Sequence, residues 1–187
     1  MNTIVIIASG NSLTRADVAR VEDAGIAIMG INNAYQICDP AYLYACDSAW
    51  WKWHYEHVPF HIIKYSLAKT EYSDVMQMEK DGIEGLSKEW PKLKTGQNGG
   101  YQAINLAYLM GYNRIILLGY DMQLTNGKSH WHKDHSGNNP KKRQFKDWIN
   151  NYNELAPLLE KVGVEVLNAT KETALKCFKR VRLSDVI

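Results

Sequence analysis

Apolar residues fall along this chain in short runs, each closed by a small polar cluster. Ile4-Val5-Ile6-Ile7-Ala8 is the first, rich in β-branched side chains. Such a run suits a strand covered on both faces, as in a parallel sheet. Ser9-Gly10-Asn11-Ser12 follow, then a helical stretch over 14–21 that stops at Gly25. Thr14 with Asp17 three positions on predicts a capping box, with Asp where Glu or Gln is usual. Residues 26–31 read as a second strand ending in Asn32-Asn33, and Tyr42-Leu43-Tyr44-Ala45 as a third ending in Cys46-Asp47. Trp50, Trp51, Trp53, His54 and Tyr55 fall on a helix that Pro59 ends, and 60–65 read as another strand. Over 66–95 charges mix with Gly82, Gly85 and Pro91, which predicts loops, a short helix and a candidate lid or insert.

The pattern sharpens at Gly96-Gln97-Asn98-Gly99-Gly100, which opens a helix over 101–110 stopped by Gly111. Residues 114–119 give the clearest strand, leading into Tyr120-Asp121-Met122. A polar loop over 123–139 carries His130, His132 and His135. Phe145, Trp148, Ile149, Tyr152, Leu155, Leu159 and Val162 then recur at helical spacing, with Pro140 at the first turn and Gly163 at the end. Pro157 predicts a bend in this helix. A last strand over 164–167 precedes Asn168-Ala169-Thr170 and a short helix through Phe178. Strands alternating with helices predict an α/β fold: a Rossmann-like three-layer sandwich with a mainly parallel sheet, 1–187 forming one nucleotide-binding-type domain.

Composition narrows the function classes. A hydrophobic share of 45% and a charged share of 22% are those of a globular chain able to bury a core without staples. The net charge of +2 excludes a general nucleic-acid coat or a membrane-surface protein. Cys38, Cys46 and Cys177 are odd in number and form no CxxC pair, so they read as free thiols of a reducing compartment. Met1 runs directly into a short strand with no basic leader or long apolar stretch, and the expectation is a cytoplasmic protein without a membrane span. The 11 Tyr and 6 Trp against 3 Phe suit either a groove that stacks on a ligand or a core rich in amphipathic aromatics.

Four features carry candidate chemistry. Ser9-Gly10-Asn11-Ser12-Leu13 between strand and helix lets backbone N–H groups face an anion, as does Asn98-Gly99-Gly100 at the later helix start. Either is also read as a plain turn. His130-Trp131-His132-Lys133-Asp134-His135 spells HxHxDH, a two-metal hydrolase signature, but no histidine follows His135 to complete such a site. A single imidazole there as general base, or a solvated loop, are the other readings. His54, His57 and His61 read as partly exposed histidines before a metal site. Lys141, Lys142, Arg143 and Lys146 crowd a helix start, which suits an anionic partner or a solvated face.

With these residues in view, the chain resembles the bacterial sialyltransferases that use CMP-sialic acid, and a wider set of Rossmann-like proteins, some carried by phages. Their opening G-N-G-P-S-L loop is matched by Ser9-Gly10-Asn11-Ser12-Leu13, and their N-x-x-Y by Asn32 to Tyr35. Asp47 stands where they carry a nucleotide-contacting Asn, and Asn98-Gly99-Gly100 where they carry T-S-G. Their L-G-Y and S-G-I-D are matched by Met110-Gly111-Tyr112 and Leu118-Gly119-Tyr120-Asp121. Their S-H-Y-I-G-H-S resembles 129–136 with one residue inserted here. Family tyrosines at the leaving phosphate align with Gln123 and His130, and the lid before the histidine motif is shorter.

The resemblance implies a metal-independent, sugar-nucleotide-dependent glycosyltransferase with no cofactor. Ser9, Gly10, Asn11, Ser12, Asn32, Asp47, Asn98, Gly99, Gly100 and Asp121 would form the nucleotide site. His135 would be the base on the acceptor hydroxyl, and His130 would stabilise the leaving phosphate. A CMP-type donor is expected, with the acceptor a glycan, lipid, protein or modified DNA, and homo-oligomerisation left open. The alternatives are a nucleotide or pterin diphosphokinase with Mg²⁺ on Asp121 and Asp47, a non-catalytic nucleotide-binding protein, and the HxHxDH metal hydrolase.

Overall fold

The computed structural model describes residues 1–133 and 141–187, and of Lys142 the backbone alone. β1 (Thr3–Ile7) shows why its sequence makes a central strand. Side chains alternate across a strand, and both of its faces are covered. Ile4 and Ile6 enter the core under α3 (Gly99–Leu109) and α4 (Lys142–Lys161), while Val5 and Ile7 enter the one under α1 (Arg15–Asp23). β8 (Arg114–Leu118) repeats the division, with Ile115 and Leu117 on one side and Ile116 and Leu118 on the other. This gives the expected three-layer α/β sandwich.

Among the described residues the main sheet has eight strands in the order β10-β9-β8-β1-β2-β3-β4-β5, and every neighbouring pair is parallel. The remaining members are β2 (Ala27–Ile31), β3 (Tyr42–Tyr44), β4 (Ile63–Ser66), β5 (Val75–Gln77), β9 (Glu165–Asn168) and β10 (Lys179–Arg180). β6 (Glu79–Lys80) and β7 (Lys92–Leu93) pair separately. α2 (Ser48–His54) covers β3 with Trp50 and Trp51. No helix among the described residues is long and apolar enough to cross a membrane.

Three expectations need correction. Residues 66–95 contain no helix; they add β5 to the sheet edge and form the β6–β7 pair. No helix forms between Thr170 and Phe178 either. Polar side chains there bond to backbone and displace helical pairing: Asn168 Nδ2 donates to the Leu175 carbonyl, the Leu175 N–H to Thr173 Oγ1, and the Thr173 hydroxyl to the Tyr120 carbonyl. His54 is buried rather than partly exposed, stacked on Trp50 at 4.5 Å with Nδ1 2.9 Å from the Tyr35 hydroxyl. α4 runs unbroken through Pro157, and Pro140 lies outside the described residues.

The capping box forms as predicted: the Asp17 N–H donates to Thr14 Oγ1 and the Thr14 N–H to Asp17 Oδ2. Burial pushes the Asp17 carboxyl up, but hydrogen bonds from Thr14 and Lys171, with the Lys171 charge 2.9 Å away, outweigh it and hold Asp17 below its ordinary value. A carboxyl depressed by folding stabilises the fold above its unfolded value and loses that contribution as pH falls through the folded one. Stability should therefore decline on acidification below about pH 4, and Asp17→Asn should flatten that decline. Urea denaturation over a series of acidic buffers measures both.

Candidate functional site

From β1 the strands run outward through β2 to β5 on one side, while β8, β9 and β10 lie on the other, so the sheet order reverses between β1 and β8. At such a point the loops leaving the two strands part and leave a crevice at their carboxyl ends. Here the loops are tied below the crevice. The Ala8 N–H donates to the Leu118 carbonyl and the Gly10 N–H to the Gly119 carbonyl, both at 2.9 Å. No side chain fits in this joint. A Cβ on Gly10 would lie 2.1 Å from Asp121 Oδ1 and 2.4 Å from the Gly119 oxygen; one on Gly119, at φ +70°, would lie 2.5 Å from the Ala8 oxygen.

Asp121, 2% exposed, completes the joint. Its Oδ2 accepts from the Ser12 N–H (2.9 Å) and the Thr125 hydroxyl (2.8 Å), and its Oδ1 from the Ser12 hydroxyl (2.7 Å). Asn11 adds an Nδ2 bond to the Thr125 carbonyl at 3.0 Å. The carboxyl therefore fixes the β1–α1 loop against the loop after β8.

Above the joint opens a cleft of about 120 Å³, lined by Ser9, Gly10, Asn32, Asn98, Gly99, Gly100, Asp121 and His130 among others. Eight of the expected site residues thus converge on one place. Asn11 and Ser12 lie beneath the lining, in the joint. Asp47 lines a neighbouring groove of about 420 Å³, which shares Asn98 and Gly99 with the cleft. Asp121 thus lines the cleft and Asp47 the groove beside it. His135 lies outside the described residues.

Asn98 caps α3. Its Oδ1 accepts from the Gly100 and Tyr101 N–H groups (3.0 and 3.3 Å) and from the Tyr152 hydroxyl (2.8 Å). Asn151 Nδ2 donates to the Gly96 carbonyl at 2.9 Å, so α4 holds the whole turn before α3. Burial pushes the Tyr120 and Tyr152 phenols well above their ordinary value, which keeps both as donors at neutral pH. Tyr120 donates to the Gly100 carbonyl at 3.1 Å.

Ser9 Oγ lies 2.8 Å from His130 Nδ1, and the Trp131 N–H donates to the Ser9 carbonyl at 3.1 Å. The His132 ring stacks on His130 at 5.1 Å. The Ser9 hydrogen bond and the stacked His132 ring help to fix the imidazole at the rim. Of the HxHxDH ligand positions, Asp134 and His135 are outside the described residues, and the described ones form no group of three or more His, Cys, Asp or Glu able to hold a metal.

Asn32, Gln97 and Met122 have φ of 49°, 53° and 50°, the left-handed region that favours glycine. Asn32 and Met122 line the cleft and Gln97 the groove. Strained backbone of this kind concentrates at ligand sites. In the groove, burial and the neighbouring Asp47 push the Cys46 thiol up to about 12, so it is not an activated nucleophile.

No protein-family model, curated protein or solved structure matches this chain. The site is argued from its own residues. Sequence reasoning missed Met122, Phe145 and Trp148 in the lining. The two aromatics gave a signal, helical spacing with the core residues of α4, that pointed to the core instead.

Proposed function

We propose that the protein is a metal-independent glycosyltransferase that takes its sugar from a nucleotide donor of the CMP type. The observation that carries this reading is the cleft at the reversal point of a parallel sheet, with Asn32, Asn98 and glycine backbone in its lining and a Ser9-fixed histidine at its rim. In the reaction the acceptor oxygen bonds to the anomeric carbon as the bond from that carbon to the phosphate oxygen breaks. His135 receives the acceptor proton. In the tautomer that accepts from Ser9 at Nδ1, 2.8 Å away, His130 carries its proton on Nε2 and donates to the leaving phosphate.

A thermal-shift series with CMP, UDP, GDP and their sugars, in EDTA, tests the reading. Ligand at one hundred times its Kd adds about 2.7 kcal/mol of stability, so a binder raises Tm without metal. His130→Ala should lower nucleotide release from the donor sugar about 10²- to 10⁴-fold at unchanged Tm. A flat series, or full turnover by His130→Ala, would sink the proposal. Binding without turnover would leave a nucleotide-binding protein.

A further inference from the structure

The apolar stripe of α4 is longer than the core it serves. Tyr152, Leu155 and Leu159 are buried, while Phe145 and Trp148, earlier on the same stripe, are half-buried and line the cleft. Their rings meet edge to face, 5.6 Å apart at 87°. Aromatic surface facing an open cleft is stabilised when a flat ligand covers it. The same lining holds Ala8, Gly10, Gly99, Gly100 and Gly119, whose lack of bulk leaves room for a planar group. Polar partners for the edge of such a ring stand beside it in Asn32 and Asn98.

Charge argues the same way. Among the described residues no lysine or arginine lines the cleft; its ionisable members are Asp121 and His130. Ion pairing to phosphate is therefore not what this lining supplies. At about 120 Å³ the cleft suits one flat ring system rather than a whole nucleotide.

We infer that Phe145 and Trp148 form a stacking wall for a nucleobase, so that the base, more than the sugar or phosphate, is the part of the ligand this cleft recognises. The inference rests on the nucleotide reading above and adds which part of the ligand is bound, and by what.

Isothermal titration of the full chain with CMP, UMP, GMP, ribose 5-phosphate and inorganic phosphate tests it. At least one nucleotide should bind, with ribose 5-phosphate and phosphate weaker by about tenfold or more. Trp148→Ala should weaken that nucleotide roughly 5- to 150-fold, the range for loss of one stacked aromatic. Trp148→Phe should keep most of the affinity, and Phe145→Ala gives an independent second variant. Unchanged melting temperatures show that the half-exposed positions leave the fold intact. Ribose 5-phosphate binding as tightly as the nucleotide, or both alanine variants binding like the parent, overturns the stacking wall while the nucleotide reading stands. If none of the three nucleotides binds, both fall together.

Discussion

Gly10→Ala should destabilise the protein by about 3–5 kcal/mol, enough to remove much of the margin of an ordinary domain. The added methyl would sit 2.1 Å from Asp121 Oδ1, 2.4 Å from the Gly119 oxygen and 2.5 Å from Asp121 Cγ. None of these is the loose end of a flexible chain. Two belong to a carboxyl group held by three hydrogen bonds and the third is backbone. Relief requires β1 and β8 to part at their carboxyl ends, which breaks the Gly10-to-Gly119 bond as well as straining the core. Gly99→Ala is the control. Its methyl would come no nearer than 3.6 Å, to Ile31 Cγ2, an ordinary contact. Urea denaturation of the two variants should separate them clearly, although both glycines line the same cleft. Equal midpoints would mean that the joint is not rigid.

Asp121→Ala should cost a comparable amount, about 3–5 kcal/mol. It strands the Ser12 N–H, the Ser12 hydroxyl and the Thr125 hydroxyl in a buried place, and each orphaned donor costs about 1–3 kcal/mol without full additivity. Asp121→Asn should fall between the alanine variant and the parent, because the Ser12 hydroxyl at the Oδ1 position can turn and accept from the new amide while the Ser12 N–H and the Thr125 hydroxyl keep an oxygen at Oδ2. Denaturation with and without Mg²⁺ checks the assignment. A structural carboxyl gives the same loss in both conditions. A loss that appears only with Mg²⁺ present would instead return Asp121 to the diphosphokinase reading.

Much of the fold was legible because its central strands obey one simple rule. β1 and β8 are apolar at every buried position, and the alternation of Ile4 and Ile6 against Val5 and Ile7 is what a sheet covered on both faces demands. β5, β6, β7 and β10 were not legible: they are two or three residues long and include polar or charged side chains, so they lack the apolar run that marked the equally short β3. The false helix after Thr170 arose because Asn168 and Thr173 act through side-chain bonds to distant backbone, which composition does not announce. The site was half legible. Polar residues closing strands marked where a crevice would gather, yet the same signal marked Asp121, whose oxygens are taken up in holding the joint. Phe145 and Trp148 escaped for the opposite reason, since an apolar stripe looks alike whether a core or a cleft receives it.

The sheet begins and ends on its shortest members. β10 offers two residues and β5 three, at the two borders of an array whose interior strands run four or five residues except for β3. A border strand presents bare amide and carbonyl groups that another chain can zip onto, and parallel sheets, slow to assemble, leave such borders open for longer while folding. Three residues give an intruding strand little ladder to build. The trimmed borders thus act as a safeguard against fibrous self-association, in a chain whose largely apolar central strands would otherwise be templates for it.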